Sequence, residues 1–218
     1  MRRVSWAMFF VLALMLALAQ QRPAHAGIVN GSVSLDTSGL SGTFELGFIL
    51  IDGSATGDAN NTVTLGNFGF GGGSAGTVDL LLTTAGASGD FASGVTLTDS
   101  EFFNVFAQTF TAGTLLTFDF GFSTNIDAGG TPDQFSIALL QSDGTLIPSN
   151  DPSGALLLVN IDSAQPGFLG FATELTPAPV VTFAATAPEP STALLVAIAL
   201  TGALWSVGTK SRGSVRQA

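Results

Sequence analysis

The chain has 218 residues, a formal net charge of −10 at pH 7 and no cysteine. All six basic residues and the only histidine lie before residue 27 or after residue 187, so the stretch 27–187, with fifteen of the sixteen acids, carries a formal charge of −15. This stretch contains no Lys, Arg, His, Cys, Trp or Tyr, which argues against nucleic acid as a partner, against a disulfide framework and against a conventional zinc site.

The first 26 residues have the organisation of a secretory signal peptide. Two arginines precede an apolar core over residues 6–19, and Ala24 and Ala26 then form a small-x-small cleavage site. We therefore predict a signal peptide over residues 1–26 and export by the general secretion route. An uncleaved signal anchor is the alternative interpretation.

Apolar residues between positions 27 and 187 repeat with a period of two, which is the period of a strand. The clearest case is the stretch 43–51, where Phe44, Leu46, Phe48 and Leu50 occupy every second position and so lie on one face. Further strands are predicted over residues 27–36 (as an edge strand), 62–70, 78–84, 134–141, 156–161, 168–175 and 180–185.

The stretch 102–123 predicts a β-hairpin. Phe102, Phe106 and Phe110 share one face with two polar residues, a turn follows at positions 112–113, and an alternating strand then runs over residues 116–123. The strand pattern as a whole predicts an all-β fold, a single antiparallel β-sandwich of jelly-roll-like type over residues 27–176. The sixteen phenylalanines between residues 27 and 187 are expected to supply the core, and prolines make residues 177–187 a stiff spacer.

Catalysis is not expected of this stretch, because it offers neither a histidine base nor a thiol. A carboxylate pair for glycoside hydrolysis is the only catalytic arrangement left, and among fifteen acids some pair always has the required separation, so the pattern is not specific.

Calcium binding is a second hypothesis, since carboxylate and amide oxygens on loops are the preferred ligands of calcium. The candidates are Asp127 with Asp133, then Asp52 and Asp58 with Asn60 and Asn61, and Asp143 with Asp151. Solvated turn residues are the alternative.

Carbohydrate binding is a third hypothesis. Sugar platforms generally use exposed Trp or Tyr, which are missing here, so Phe102 and Phe103, or Phe68 and Phe70, would have to substitute. Burial in the core is the alternative fate of these rings.

The C-terminal stretch predicts membrane insertion. Residues 191–209 contain no charge, a length that comes close to crossing the roughly 30 Å hydrocarbon layer as a helix. The cations Lys210, Arg212 and Arg216 follow it, which places the C-terminus in the cytoplasm.

The order of Pro188-Glu189-Pro190, one apolar span and a short basic tail resembles the PEP-CTERM sorting signal of Gram-negative bacteria. The resemblance covers residues 188–218 and implies that exosortase, a membrane-embedded cysteine protease, is a partner. It also implies that the same genome encodes exopolysaccharide machinery. The tail departs from the family pattern, because Lys210-Ser211-Arg212 stands in place of an arginine cluster. An ordinary C-terminal anchor is the alternative.

Together these patterns predict a non-enzymatic exported protein without a required cofactor, anchored in the inner membrane as a precursor. Its mature form is expected at the cell surface or in the extracellular matrix, associated with exopolysaccharide or biofilm. A carbohydrate-binding module or adhesin with a specific glycan ligand is the alternative function.

Overall fold

A computed structural model describes residues 28–54, 57–123, 125, 131–161 and 167–184, and the secondary structure of this part of the chain is β. The predicted all-β class is therefore confirmed. Among these residues there is no helix with the length and apolar character needed to cross a membrane. The predicted signal peptide and C-terminal span lie outside the described residues.

The strands are β1 (Ile28–Asp36), β2 (Thr43–Ile51), β3 (Thr62–Gly69), β4 (Ser74–Val78), β5 (Ala87–Asp90), β6 (Gly94–Thr98), β7 (Phe103–Thr111), β8 (Leu115–Ser123), β9 (Gln134–Gln141), β10 (Ala155–Asn160), β11 (Phe168–Gly170) and β12 (Val180–Phe183).

The strands form two antiparallel six-stranded sheets. Sheet A has the order β12-β1-β8-β3-β6-β5, and sheet B has the order β11-β10-β9-β2-β7-β4. Most connections carry the chain from one sheet to the other, so strands that are neighbours in sequence usually face each other rather than pair. The inner faces of the two sheets enclose one apolar core.

Phe48, at the middle of β2, lies at the centre of this core. Its side chain is fully buried, and the ring centroids of five other phenylalanines lie 5.5–6.4 Å from its own. One of these, Phe118, belongs to sheet A and meets Phe48 edge-on at 5.5 Å. The period-two pattern of residues 43–51 therefore identified the inner face of β2 correctly.

The predicted hairpin over residues 102–123 is wrong. β7 pairs with β2 and β4 in sheet B, whereas β8 pairs with β1 and β3 in sheet A. The connection between them crosses the sandwich, and Gly113 lies so close to the preceding turn that an added Cβ would stand 2.1 Å from the Phe70 carbonyl oxygen. Two strands with one apolar face each can pair side by side or pack face to face, and the alternation is the same in both cases.

Three other expectations about strands need correction. β1 is not at the edge of its sheet, because β12 pairs with its outer side. The predicted strand 78–84 is a turn after Val78, and β5 lies among residues for which no strand was predicted. β12 confirms the strand predicted over residues 180–185, but it lies within the stretch 177–187 that we also assigned to a spacer, so sheet A extends beyond residue 176.

Candidate functional site

The end of the sandwich where β2, β6 and β8 finish and β3 and β9 begin holds a cluster of buried polar side chains, which we call the acidic cluster. It consists of Asp52, Asn61, Asp99 and Asp133. All four are completely shielded from solvent. Each follows or precedes a core strand, so the cluster lies where the alternating apolar pattern ends and the loops begin.

Asn61 joins the loops of this end through its amide. Its Nδ2 donates to the Asp133 carboxyl at 2.8 Å and to the Asn125 carbonyl at 3.0 Å. Its Oδ1 accepts the backbone N–H of Asn125 at 2.8 Å and the Ser123 hydroxyl at 3.2 Å. One side chain thereby connects the start of β3 to the end of β8 and the start of β9.

Asp99 and Asp133 share a hydrogen bond between their carboxyl groups, and the backbone N–H of Asn61 donates to both Asp99 oxygens at 3.1 and 3.0 Å. Burial, together with the hydrogen bond to Asp133, raises the pKa of Asp99 to about 7. Because stretch 27–187 has no basic side chain, no ion pair within this stretch can neutralise the carboxyl, and its raised pKa favours the protonated form.

Asp52 and Asp133 also fix the loop that follows β2. Asp52 Oδ1 accepts the backbone N–H and the hydroxyl of Ser54, both at 2.7 Å, and Asp133 Oδ1 accepts the backbone N–H of Gly53 at 2.8 Å. Gly53 itself must be glycine, because an added Cβ would stand 1.9 Å from the Thr131 carbonyl oxygen. The acidic cluster therefore holds the loops at this end of the sandwich together through buried hydrogen bonds.

The calcium hypothesis stays a prediction. Asp127 lies outside the described residues, whereas Asp133 belongs to the acidic cluster and accepts hydrogen bonds from a backbone and a side-chain amide. Within the described ranges no group of three or more acidic side chains has the geometry of a metal site. Asp143 and Asp151 each accept N–H groups of their own turns, and Asp58 does the same with Asn60.

The aromatic candidates for a sugar platform divide into two groups. Phe102 and Phe103 are 56% and 47% exposed, so their rings are accessible, as a sugar platform requires. Phe68 and Phe70 pack against the core, where Phe68 stacks on Phe118 at 5.3 Å.

A cavity of about 410 Å³ opens on the outer face of sheet A, across β12, β1 and β8. The side chains of Asn30, Ser32, Asp119 and Thr182 line it. Asn67 donates to Asp119 Oδ2 at 2.7 Å and fixes one edge of the carboxyl, while the exposed position of Asp119 leaves the rest of the group open to solvent. The cavity therefore offers several oxygen acceptors, two hydroxyl groups and no cation.

Sequence reasoning singled out Asp52, Asn61 and Asp133 as calcium candidates but missed Asp99 and the cavity residues. Asp99 directly follows an alternating strand, and that position is the only signal that could have indicated it. The residues of the predicted sorting signal and of the predicted cleavage site lie outside the described residues: Pro188, Glu189, Pro190, Lys210, Arg212, Arg216, Ala24 and Ala26. A scan against known protein families finds no matching family, and comparisons with curated proteins and with solved structures find no significant match.

Proposed function

We propose that this chain is a non-enzymatic exported protein of the cell surface or extracellular matrix, sorted by an exosortase-type protease and associated with exopolysaccharide. The proposed precursor spans the inner membrane through residues 191–209, and the mature form is a jelly-roll-like sandwich outside it. The observation that supports this best is the contrast between an acidic, cation-free β body and two apolar ends that hold every basic residue.

The geometry of the β body is compatible with the proposed anchoring and cleavage at its C-terminal side. Ala184 donates its backbone N–H to the Asn30 carbonyl at 2.9 Å, so the two ends of the sandwich domain emerge side by side. Proline disfavours helix at its own position and at the residue before it, so the proposed sorting signal would present Glu189 in the extended form that proteases bind.

Replacing Pro188 and Pro190 with alanine tests the sorting signal. The double variant is expected to accumulate as an unprocessed, membrane-bound precursor, because alanine removes the restriction that proline places on the backbone of the tripeptide. Intact mass of the protein from membranes and from culture medium of the native host measures the outcome.

The matched control replaces Pro177 and Pro179, two prolines of the same chain that precede β12. This control should be processed like the wild type. Normal release of the Pro188 and Pro190 variant would contradict the sorting proposal and favour a plain membrane anchor.

The cavity on sheet A favours glycan binding as a second candidate function. A cavity lined with a carboxylate, an amide and hydroxyl groups suits the vicinal hydroxyls of a neutral sugar, and the lack of any cation disfavours phosphorylated or uronic acid ligands. Replacing Asn30 and Asp119 with alanine is expected to abolish retention on neutral polysaccharide in a pull-down assay.

The matched control for this test is Asp143→Asn, which alters an acid of a turn outside the cavity lining. Retention of the cavity variant at the wild-type level would exclude this cavity as the sugar site. Phe102→Ala and Phe103→Ala, tested in the same assay, distinguish the cavity from the aromatic candidates.

A further inference from the structure

The strand β12 forms one edge of sheet A and has an open side. It pairs with β1, with Phe183 opposite Gly31 and Val180 opposite Ser34. Within the described ranges no strand lies on its other side. An edge strand leaves a row of backbone donors and acceptors unpaired, and a strand of another chain can complete the row.

The register shows which backbone groups of β12 point away from β1. Ala184 donates its N–H to the Asn30 carbonyl at 2.9 Å, so these two residues form a hydrogen-bonded pair. Such pairs alternate with non-hydrogen-bonded pairs along an antiparallel ladder. Val181 and Phe183 therefore direct their N–H and C=O groups outward. We call these groups the β12 edge.

The other three edge strands have features that discourage pairing. β4 contains a register shift between Ala75 and Val78 and is followed by Asp79. β5 ends at Asp90, and β11 has only three residues. Bulges, charges and short length all protect the edges of sheets. β12 has neither a register shift nor a charge, and its sequence Val-Val-Thr-Phe consists of residue types that favour strands.

Charge favours a second copy of this chain as the partner. Stretch 27–187 has a formal charge of −15, yet residues 175–188, which include β12, contain no charged side chain. On sheet A the register places Asp119 two strands away from Thr182. Two acidic bodies repel each other in most orientations, so they approach at least cost through a neutral edge.

The sequence of β12 also complements itself about a two-fold axis at Thr182. The outward groups of Val181 then form hydrogen bonds with those of Phe183 in the second copy, and Thr182 lies opposite its own equivalent. Aromatic with β-branched and Thr with Thr are favourable cross-strand pairs. Phe183 packs against Phe168 at 4.9 Å but is still 49% exposed, so its ring is held in place with surface left for a partner.

We propose that β12 pairs in antiparallel orientation with β12 of a second copy, about a two-fold axis at Thr182. The resulting homodimer joins the two six-stranded A sheets into one continuous sheet.

Sedimentation equilibrium of the full-length chain in detergent tests the proposal. The wild type is expected to be dimeric. Thr182→Asp places two carboxylates opposite each other at the axis and should raise the dissociation constant roughly tenfold or more. The matched control is Ser88→Asp, which adds the same charge at an exposed position of β5, the opposite edge of the same sheet. This control should remain dimeric.

Mixing two charge variants tests the register itself. Thr182→Lys alone should weaken the dimer as Thr182→Asp does, because like charges again meet at the axis. An equimolar mixture of the two variants should form a heterodimer, because opposite charges then face each other. Mixing cannot restore association if the substitutions act by damaging β12.

Three results would overturn the proposal. The first is a monomeric wild type. The second is a Thr182→Asp variant that is as dimeric as Ser88→Asp, which would place the contact elsewhere in the chain. The third is a mixture of the Asp and Lys variants that associates no better than either variant alone.

Discussion

Replacing Phe48 with alanine is expected to lower the free energy of unfolding by about 3–5 kcal/mol, the usual cost of deleting a large buried aromatic side chain. The cost should be at the upper end of this range, because Phe48 is 0% exposed and contacts rings from both sheets. The strands around it have little freedom to collapse into the space. Urea unfolding of residues 27–187, followed by circular dichroism, measures the change.

Phe103→Ala provides the control, since Phe103 lies on β7 but is 47% exposed. Its effect should be less than about 1 kcal/mol, as is usual for a substitution at the surface. Equal destabilisation by the two substitutions would mean that the sandwich core is not centred on Phe48.

Asp99→Asn is expected to change how stability depends on pH. The pKa of Asp99 is about 7 in the folded protein against 3.8 for the unperturbed group, so the folded state binds a proton that the unfolded state releases. Stability should therefore fall as the pH rises from about 4 to about 7, by up to about 1.4 kcal/mol per pH unit from this group. An amide retains a donor for Asp133 and an acceptor for Asn61 but does not titrate, so the slope should become shallower.

Urea unfolding at a series of pH values between 5 and 8 measures this slope. Glu174→Gln removes the same formal charge from an exposed acid in the segment between β11 and β12. This control should keep the wild-type slope. If Asp99→Asn also keeps it, the buried carboxyl pair does not hold a proton in this range.

The sequence predicted strands well where one face is apolar and the other is not. β2 and β9 have the predicted bounds, because each alternates over its whole length. Residues 80–82, three consecutive leucines, were wrongly predicted as strand, since such a run suggests burial on both faces. In the structure Asp79 caps a turn at this position, and Leu80 and Leu81 are exposed to solvent.

Strand pairing and the candidate site were harder to predict. The hairpin over residues 102–123 failed because a short connection can turn within a sheet or cross between sheets, and local sequence does not distinguish the two. The acidic cluster combines residues as far apart as Asp52 and Asp133, so only the topology brings them together. The period-two pattern identifies the core face but does not indicate which loops meet at its end.

The pairing of β1 with β12 has a consequence for how the molecule is made. The first strand lies between β8 and β12, which are formed roughly ninety and one hundred and fifty residues later. Such distant partners make folding slow and dependent on nearly complete synthesis. β1 therefore waits for partners that are synthesised late, and the sandwich is expected to be complete only once residues 180–183 are available.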